Sequence, residues 1–265
     1  MSATAQLAPE ATQAAALGLT ADQLAAFHRD GFVLVKQFFS QERMRALAAE
    51  CEGLHEAMAK HAPDFVHVSW EDDLAPGRAP RIRQLMNSEA VSPIINWMSR
   101  SDEMMAVMRQ VIGPDVYLFH SKLMMKAAHD GTFTPWHQDW GYWQHHSLKP
   151  TQVNCMLGID AADAANGAIR FEAGSHHAGP VTHKGFQSSS FNIGLDGDLD
   201  AYPNAVMVNM EPGDAVFFGP LVIHGSGPNR SDRDRRANTF AYDRAGNQPK
   251  GELPAQNYRI GKQPN

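Results

Sequence analysis

The chain has 265 residues, 43% of them hydrophobic and 20% charged, which is ample apolar content for a packed core and excludes intrinsic disorder over most of its length. Acidic residues outnumber basic ones, 29 to 23, and a net charge of −6 disfavours general affinity for nucleic acid or anionic membrane. Two cysteines, Cys51 and Cys155, against 13 histidines exclude a disulfide framework and a thiolate metal cluster, so any metal must be held by imidazole and carboxylate.

No basic and apolar leader opens the chain, and no apolar run approaches the roughly 18 residues that span a bilayer, so a cytoplasmic protein is expected. Asn229-Arg230-Ser231 matches a glycosylation triplet, which is common by chance. Residues 1–17 are Ala-rich and polar and read as a flexible tail. Thr20 with Gln23 forms a capping box, and Leu19 with Leu24 has the spacing of a hydrophobic staple, so a helix starts at Ala21 and ends at Asp30-Gly31. Phe32-Val33-Leu34-Val35 reads as a strand. Ser40 caps a longer helix whose stripe of Met44, Leu47, Ala48, Cys51, Leu54 and Met58 faces a core. Further helices start at Pro93 and after Ser101. The second carries Met104, Met105, Met108 and Ile112 and stops at Gly113-Pro114; its methionines read as core.

From Asp115 onward, helical periodicity gives way to short apolar runs. Strands are predicted at 116–126, 152–159, 168–171, 205–209, 214–218, 221–224 and 236–242, with Asn166-Gly167 as a two-residue hairpin signal and Pro212-Gly213-Asp214 as a turn. Helices first and strands later, without βαβ alternation, predict a mainly β fold with flanking α-helices: a sandwich, jelly roll or barrel braced by the N-terminal helices. Residues 18–245 are expected to form a single domain, followed by a polar C-terminal extension over 246–265.

The chemistry concentrates around His137-Gln138-Asp139. On an extended segment residues i and i+2 share a face, so His137 and Asp139 can offer an imidazole and a carboxylate to one ion. His224, between an apolar run and Gly225-Ser226-Gly227, is the best third ligand. Two histidines and a carboxylate form the facial triad of non-haem Fe(II) oxygenases, which leaves positions open for a chelating cosubstrate and dioxygen. Arg235 and Arg236 follow a charged loop that is otherwise a solvated segment. As strand neighbours they face opposite sides, so only one can reach a dicarboxylate at the metal.

These residues resemble the phytanoyl-CoA dioxygenase family of Fe(II)/2-oxoglutarate oxygenases over roughly residues 19–243. The resemblance is carried by Gln23-Leu24 through Phe27 to Asp30-Gly31-Phe32, the Lys126 segment, Trp136-His137-Gln138-Asp139, and Asn166-Gly167-Ala168 leading to Gly174-Ser175-His176. It continues through Gly213-Asp214-Ala215-Val216-Phe217-Phe218 and His224-Gly225-Ser226-Gly227-Pro228-Asn229, with an arginine eleven residues after the histidine. It implies a double-stranded β-helix (jelly roll, cupin-like) fold and His137, Asp139 and His224 as iron ligands. Arg235, assisted by Ser226, would bind the distal carboxylate of 2-oxoglutarate, with Lys126 as a further basic contact found in some members. Trp143 matches an aromatic position beside the metal, a role set against that of a core or lid aromatic. Because the related halogenases replace the carboxylate ligand by a small residue, Asp139 implies hydroxylation or a related oxidation. The implied cofactor is Fe(II), with 2-oxoglutarate and O2 as cosubstrates and succinate and CO2 as products.

The rival readings are a cupin-like isomerase or dioxygenase that does not use 2-oxoglutarate, and a non-catalytic binding protein on the same scaffold. Arg235 with Ser226 argues against the first and the intact triad against the second. For substrate, Arg83, Gln84, Tyr142, Trp143, His145 and His146 are expected at the entrance, with Lys149 as a further positive contact and residues 182–200 as a mobile lid. Trp140 adds to the aromatic walls. A small polar or anionic metabolite follows, an amino acid derivative or an organophosphonate, with a hydrophobic natural product as the alternative. Acyl-CoA is disfavoured for want of a concentrated basic patch. The partner is a small molecule, not nucleic acid or membrane, and the oligomeric state is left open. Of the other histidines, His28, His55 and His61 fall on helices or their ends, and His176 and His177 in a turn.

Overall fold

The structure, a computed structural model, describes residues 17–249 apart from 72, 73, 75, 78, 186–192, 198, 199 and 203. All but Leu17 of the expected tail at 1–17, most of the C-terminal extension and the middle of the expected lid lie outside the described residues.

Helix α1 (Ala21–Asp30) begins with the predicted capping box: the Thr20 hydroxyl accepts from the Gln23 N–H, and the Gln23 side chain accepts from the Thr20 N–H. After β1 (Phe32–Val35), α2 (Gln41–Lys60) starts at Ser40 and buries Met44, Leu47, Cys51 and Leu54. Two strands that the sequence analysis lacks follow, β2 (Val68–Trp70) and β3 (Ile82–Met86). Next come α3 (Pro93–Met98), α4 (Asp102–Val111), β4 (Val116–Lys126), β5 (Thr134–His137) and the single-turn α5 (Trp140–Trp143). The remaining strands are β6 (Val153–Gly158), β7 (Ile169–Glu172), β8 (Lys184–Gly185), β9 (Ile193–Gly194), β10 (Ala205–Met207), β11 (Ala215–Phe218), β12 (His224–Ser226) and β13 (Arg235–Arg244).

These strands build a double-stranded β-helix. The larger sheet has the order β1-β11-β6-β13-β4-β3-β2, and the smaller one β10-β7-β12-β5; β8 and β9 pair separately. Both faces of the larger sheet are covered, which is why β11 reads as an unbroken apolar run. Ala215 and Phe217 join the core that the helices cover, with Met44, Leu47 and Met104, whereas Val216 and Phe218 pack with Ile169 and Phe171 of the smaller sheet. Burying a phenylalanine such as Phe217 or Phe171 stabilises the fold by about 1.5–3 kcal/mol.

Two predictions fail for identifiable reasons. The run 221–224 is not a strand: it is turn, bend and irregular backbone up to Ile223, and strand pairing begins at His224, because Ser175 Oγ accepts the Ile223 N–H and the chain enters the smaller sheet only afterwards. Asn166-Gly167 does not close a hairpin, since β6 and β7 belong to different sheets. Only Gly167 has positive φ (+76°), whereas the favoured hairpin turn needs it at both central residues. The buried Asn166 side chain instead donates to Ala161 O and accepts from the Asp163 N–H, folding the crossover on itself.

Candidate metal centre

Strands β12 and β5 run antiparallel and set His224 directly opposite His137. Asp139 departs from the expected extended geometry. It lies past the end of β5 at the N-cap of α5, yet its side chain makes no capping bond there. A capping aspartate normally satisfies a helix N–H; this one turns to the histidines. His137 Nε2 lies 3.6 Å from Asp139 Oδ1 and His224 Nε2 lies 3.7 Å from Oδ2, and the two imidazole rings are 4.2 Å apart.

Each imidazole is aimed by its other nitrogen. His137 Nδ1 meets Pro135 O at 2.8 Å and His224 Nδ1 meets Val222 O at 3.0 Å, an arrangement that turns both Nε2 atoms toward Asp139. One donor atom from each of the three buried residues falls within 4.8 Å of the others, close enough to hold a single ion. Burial alone would raise the Asp139 pKa, but His224 and then His137 outweigh it and hold the carboxyl below its usual range. Burial, reinforced by His137, lowers His224 to about 4 and so keeps the imidazole neutral. Both are the protonation states that metal binding needs. Phe218 and Phe171, whose rings lie 4.9 and 5.7 Å from that of His224, shield it from water.

Between the two ligands of β5 and α5, Gln138 points the other way. Its amide donates to Gly179 O and Leu221 O and accepts from the Val181 N–H, binding the segment before His224 to the segment that carries His137. Behind Asp139, the buried Asn154 of β6 donates to Oδ2 at 2.8 Å. The sequence analysis misses this residue. Its signal was available, since a lone asparagine within an apolar strand must find a partner once buried.

A basic end adjoins the triad. Arg235, first in β13, is register partner to Lys126, last in β4. Lys126 Nζ donates to Ser226 Oγ at 2.8 Å and to Gly227 O at 2.5 Å. Arg235 is buried, donates to Gly167 O at 3.1 Å, and leaves its Nε without a partner among the described residues. Burial lowers it to about 10, still cationic at neutral pH, and burial followed by Arg235 and Arg83 depresses Lys126. Arg236 takes the opposite face. It grips Asp160 through Nε and Nη2 at 2.7 and 2.9 Å and reaches Glu52 and Ala48 O on α2, so it is structural.

The expected entrance residues separate. Arg83 is not at an open mouth: it is buried on β3 and donates to Phe133 O at 3.0 Å, and Gln84 beside it is buried too. A register shift between Ser69 and Trp70 leaves Arg83 opposite no residue of β2, which re-aims it. Tyr142 lies edge-on to His137 and donates its hydroxyl to Ile193 O at 2.7 Å, which brings β9 to the site. Trp143 is buried against Phe119 and His120. His145, His146 and Lys149 are exposed after α5.

The sequence matches the phytanoyl-CoA dioxygenase family over residues 27–237, most of the chain. The chain belongs to that family. Its relatives in the family include an ectoine dioxygenase from Bordetella parapertussis, 26% identical over 236 residues that cover 84% of this chain and 74% of the relative. An L-proline trans-4-hydroxylase from Streptomyces griseoviridis is 26% identical over 241 residues, 84% of this chain and 86% of the relative. Among solved structures, EctD from S. alaskensis in its apoform superposes with a TM-score of 0.72 at 20% identity, covering 92% of this chain and 85% of that one, and it shares the fold. Members of the phytanoyl-CoA dioxygenase family are Fe(II)- and 2-oxoglutarate-dependent oxygenases, and this chain is one of them. That membership sets aside the cupin-like isomerase and the non-catalytic scaffold. Among the described residues, no helix is long and apolar enough to cross a membrane.

Proposed function

We propose that the chain hydroxylates, or otherwise oxidises, an unactivated C–H bond of a small polar or anionic metabolite, an amino acid derivative or an organophosphonate. His137, Asp139 and His224 hold Fe(II), and Arg235 with Ser226 orients the distal carboxylate of 2-oxoglutarate, with Lys126 alongside. The residues fit both groups. Three convergent donors in the protonation states of ligands suit the metal. A buried arginine with an unpartnered Nε suits a carboxylate. When bound, Fe(II), 2-oxoglutarate and O2 together supply the oxidising power, releasing succinate and CO2. The chain contributes coordination, orientation and a pocket that excludes water. Asp139 occupies the position that halogenases leave small, which favours oxygen insertion.

The observation that carries this reading is the buried Arg235 on the same sheet face as Lys126, at one end of the triad. The substrates after which the two relatives are named support the same reading, since ectoine and L-proline are small and carry a carboxylate. Anaerobic Fe(II) with 2-oxoglutarate should give the weak visible charge-transfer band of the chelate, and His224→Ala should abolish it. Absence of the band in iron-loaded wild type sinks the proposal.

A further inference from the structure

We propose that Lys122 and His120, on the inner face of β4, form the seat for an oxyanionic head group of the substrate, a carboxylate or a phosphonate. The inference rests on the reading of the site as a 2-oxoglutarate-dependent oxygenase and supplies the substrate contact that this reading leaves open.

The register of β4 against β13 places the two residues. Lys126 pairs with Arg235, Lys122 with Thr239 and His120 with Ala241, and directly opposed residues share a face. That face looks toward the smaller sheet, because the Lys126 ammonium reaches Ser226 of β12. Leu123 and Met125, of opposite parity, point into the helix-covered core. Near the start of the strand, the ladder shifts between Ala241 and Tyr242, so that His120 and then Leu118 find partners and Phe119 does not. This bulge lets Phe119 join His120 on the inner side, beside Trp143, while Leu118 stays in the helix-side core.

Lys122 and Lys126 stand roughly 13 Å apart along the strand. The cations suited to the cosubstrate are therefore not the ones that face Lys122. The Lys122 side chain is half-buried and makes no hydrogen bond or ion pair among the described residues, yet its charge acts on Asp139, His224 and His120. A half-buried ammonium that makes no direct ion pair among the described residues, at the edge of a metal site, gains from an anion seated against it. His120 is the second group. Its ring is buried against Trp143, 5.5 Å between centroids, and its Nδ1 has no partner among the described residues. A neutral imidazole always carries one N–H donor, which suits an oxyanion already drawn to Lys122. Trp143 belongs to the helical turn that starts at Asp139, so this seat and the metal ligand share one short segment.

The test uses the anaerobic complex with Fe(II) and 2-oxoglutarate and follows its charge-transfer band as L-proline, ectoine or methylphosphonate is added, with L-prolinamide as the probe lacking the carboxylate. At least one oxyanion should perturb the band saturably while L-prolinamide does not. Lys122→Met should weaken that response tenfold or more and leave the band itself and the 2-oxoglutarate affinity in place. Lys122→Arg should retain most of the response, and Lys60→Met, at an exposed position on α2, should behave as wild type. A response to L-proline or ectoine alone assigns a carboxylate, and a response to methylphosphonate alone a phosphonate. The seat is refuted if no oxyanion perturbs the band, if L-prolinamide binds as well as L-proline, or if Lys122→Met binds as wild type does. A missing band in wild type instead defeats the functional reading, and the seat with it.

Discussion

At the scale of single residues, the site depends on side chains that do not themselves face a ligand. Asn154 donates to Asp139 Oδ2 from a strand that is otherwise apolar, and the carbonyls of Pro135 and Val222 aim the two imidazoles. Partners of this kind typically contribute 10–100-fold to metal affinity, by holding a ligand in the orientation that coordination needs. Asn154→Ala should therefore weaken Fe(II) binding by roughly that factor. It should leave the fold intact, because the truncated side chain removes one donor and leaves Asp139 next to two imidazoles. Anaerobic Fe(II) titration, with the visible spectrum of the Co(II)-substituted protein as a second readout of coordination, measures the effect. Wild-type affinity and spectrum in a folded Asn154→Ala variant would show that the asparagine merely fills space.

Among the elements, β13 does two jobs with adjacent residues. Its outer Arg236 clamps Asp160 and the α2 residues Glu52 and Ala48, while its inner Arg235 faces the site. Arg236→Ala should cost about 2 kcal/mol of stability in denaturant unfolding, less than a fully buried pair because Glu52 is largely exposed, with 2-oxoglutarate affinity unchanged. Arg235→Ala should do the reverse, weakening 2-oxoglutarate binding roughly tenfold or more, the loss expected for one charge-assisted carboxylate contact. If calorimetry found the opposite pattern, the assignment of the two faces would be wrong. That only one of the two faces inward was legible from strand alternation, and that it is Arg235 was implied by the family resemblance. Also legible were α1 and α2, whose Thr20 and Ser40 caps are local signals, and the His137, Asp139 and His224 set. What escaped was decided by distant contacts. β2 and β3 are short and carry Ser69, Arg83 and Gln84, polar residues buried only because β4 and the residue 133 segment cover them. Asn166-Gly167 has hairpin chemistry but serves as a crossover, because the strands it joins pair with other partners.

Across the whole molecule, sensitivity to acid follows from histidines buried without charge. Burial, with the Lys122 charge added, lowers His120 to about 3, and burial with His137 lowers His224 to about 4, against about 6.5 in an unfolded chain. Through that interval the unfolded chain binds more protons than the folded one, so stability rises with pH and is lost as pH falls from about 6.5 toward 4. Asp139 acts in the same sense at lower pH. Its depressed pKa contributes stability that is present above the unfolded value of about 3.9 and disappears below it. A bound divalent metal competes with protons for His224 and Asp139 but not for His120, which lies outside the triad. Metal-free protein should therefore melt at progressively lower temperature from pH 6.5 to pH 4, and saturating Co(II) should raise the melting temperature more at pH 7 than at pH 5. His120→Leu should flatten the pH slope in both forms, since it removes a strongly shifted titrating group that the metal does not cover. A melting temperature that stayed level from pH 6.5 to pH 4 without metal would mean that these imidazoles are already charged in the folded state, and the neutral ligand set would fall with it.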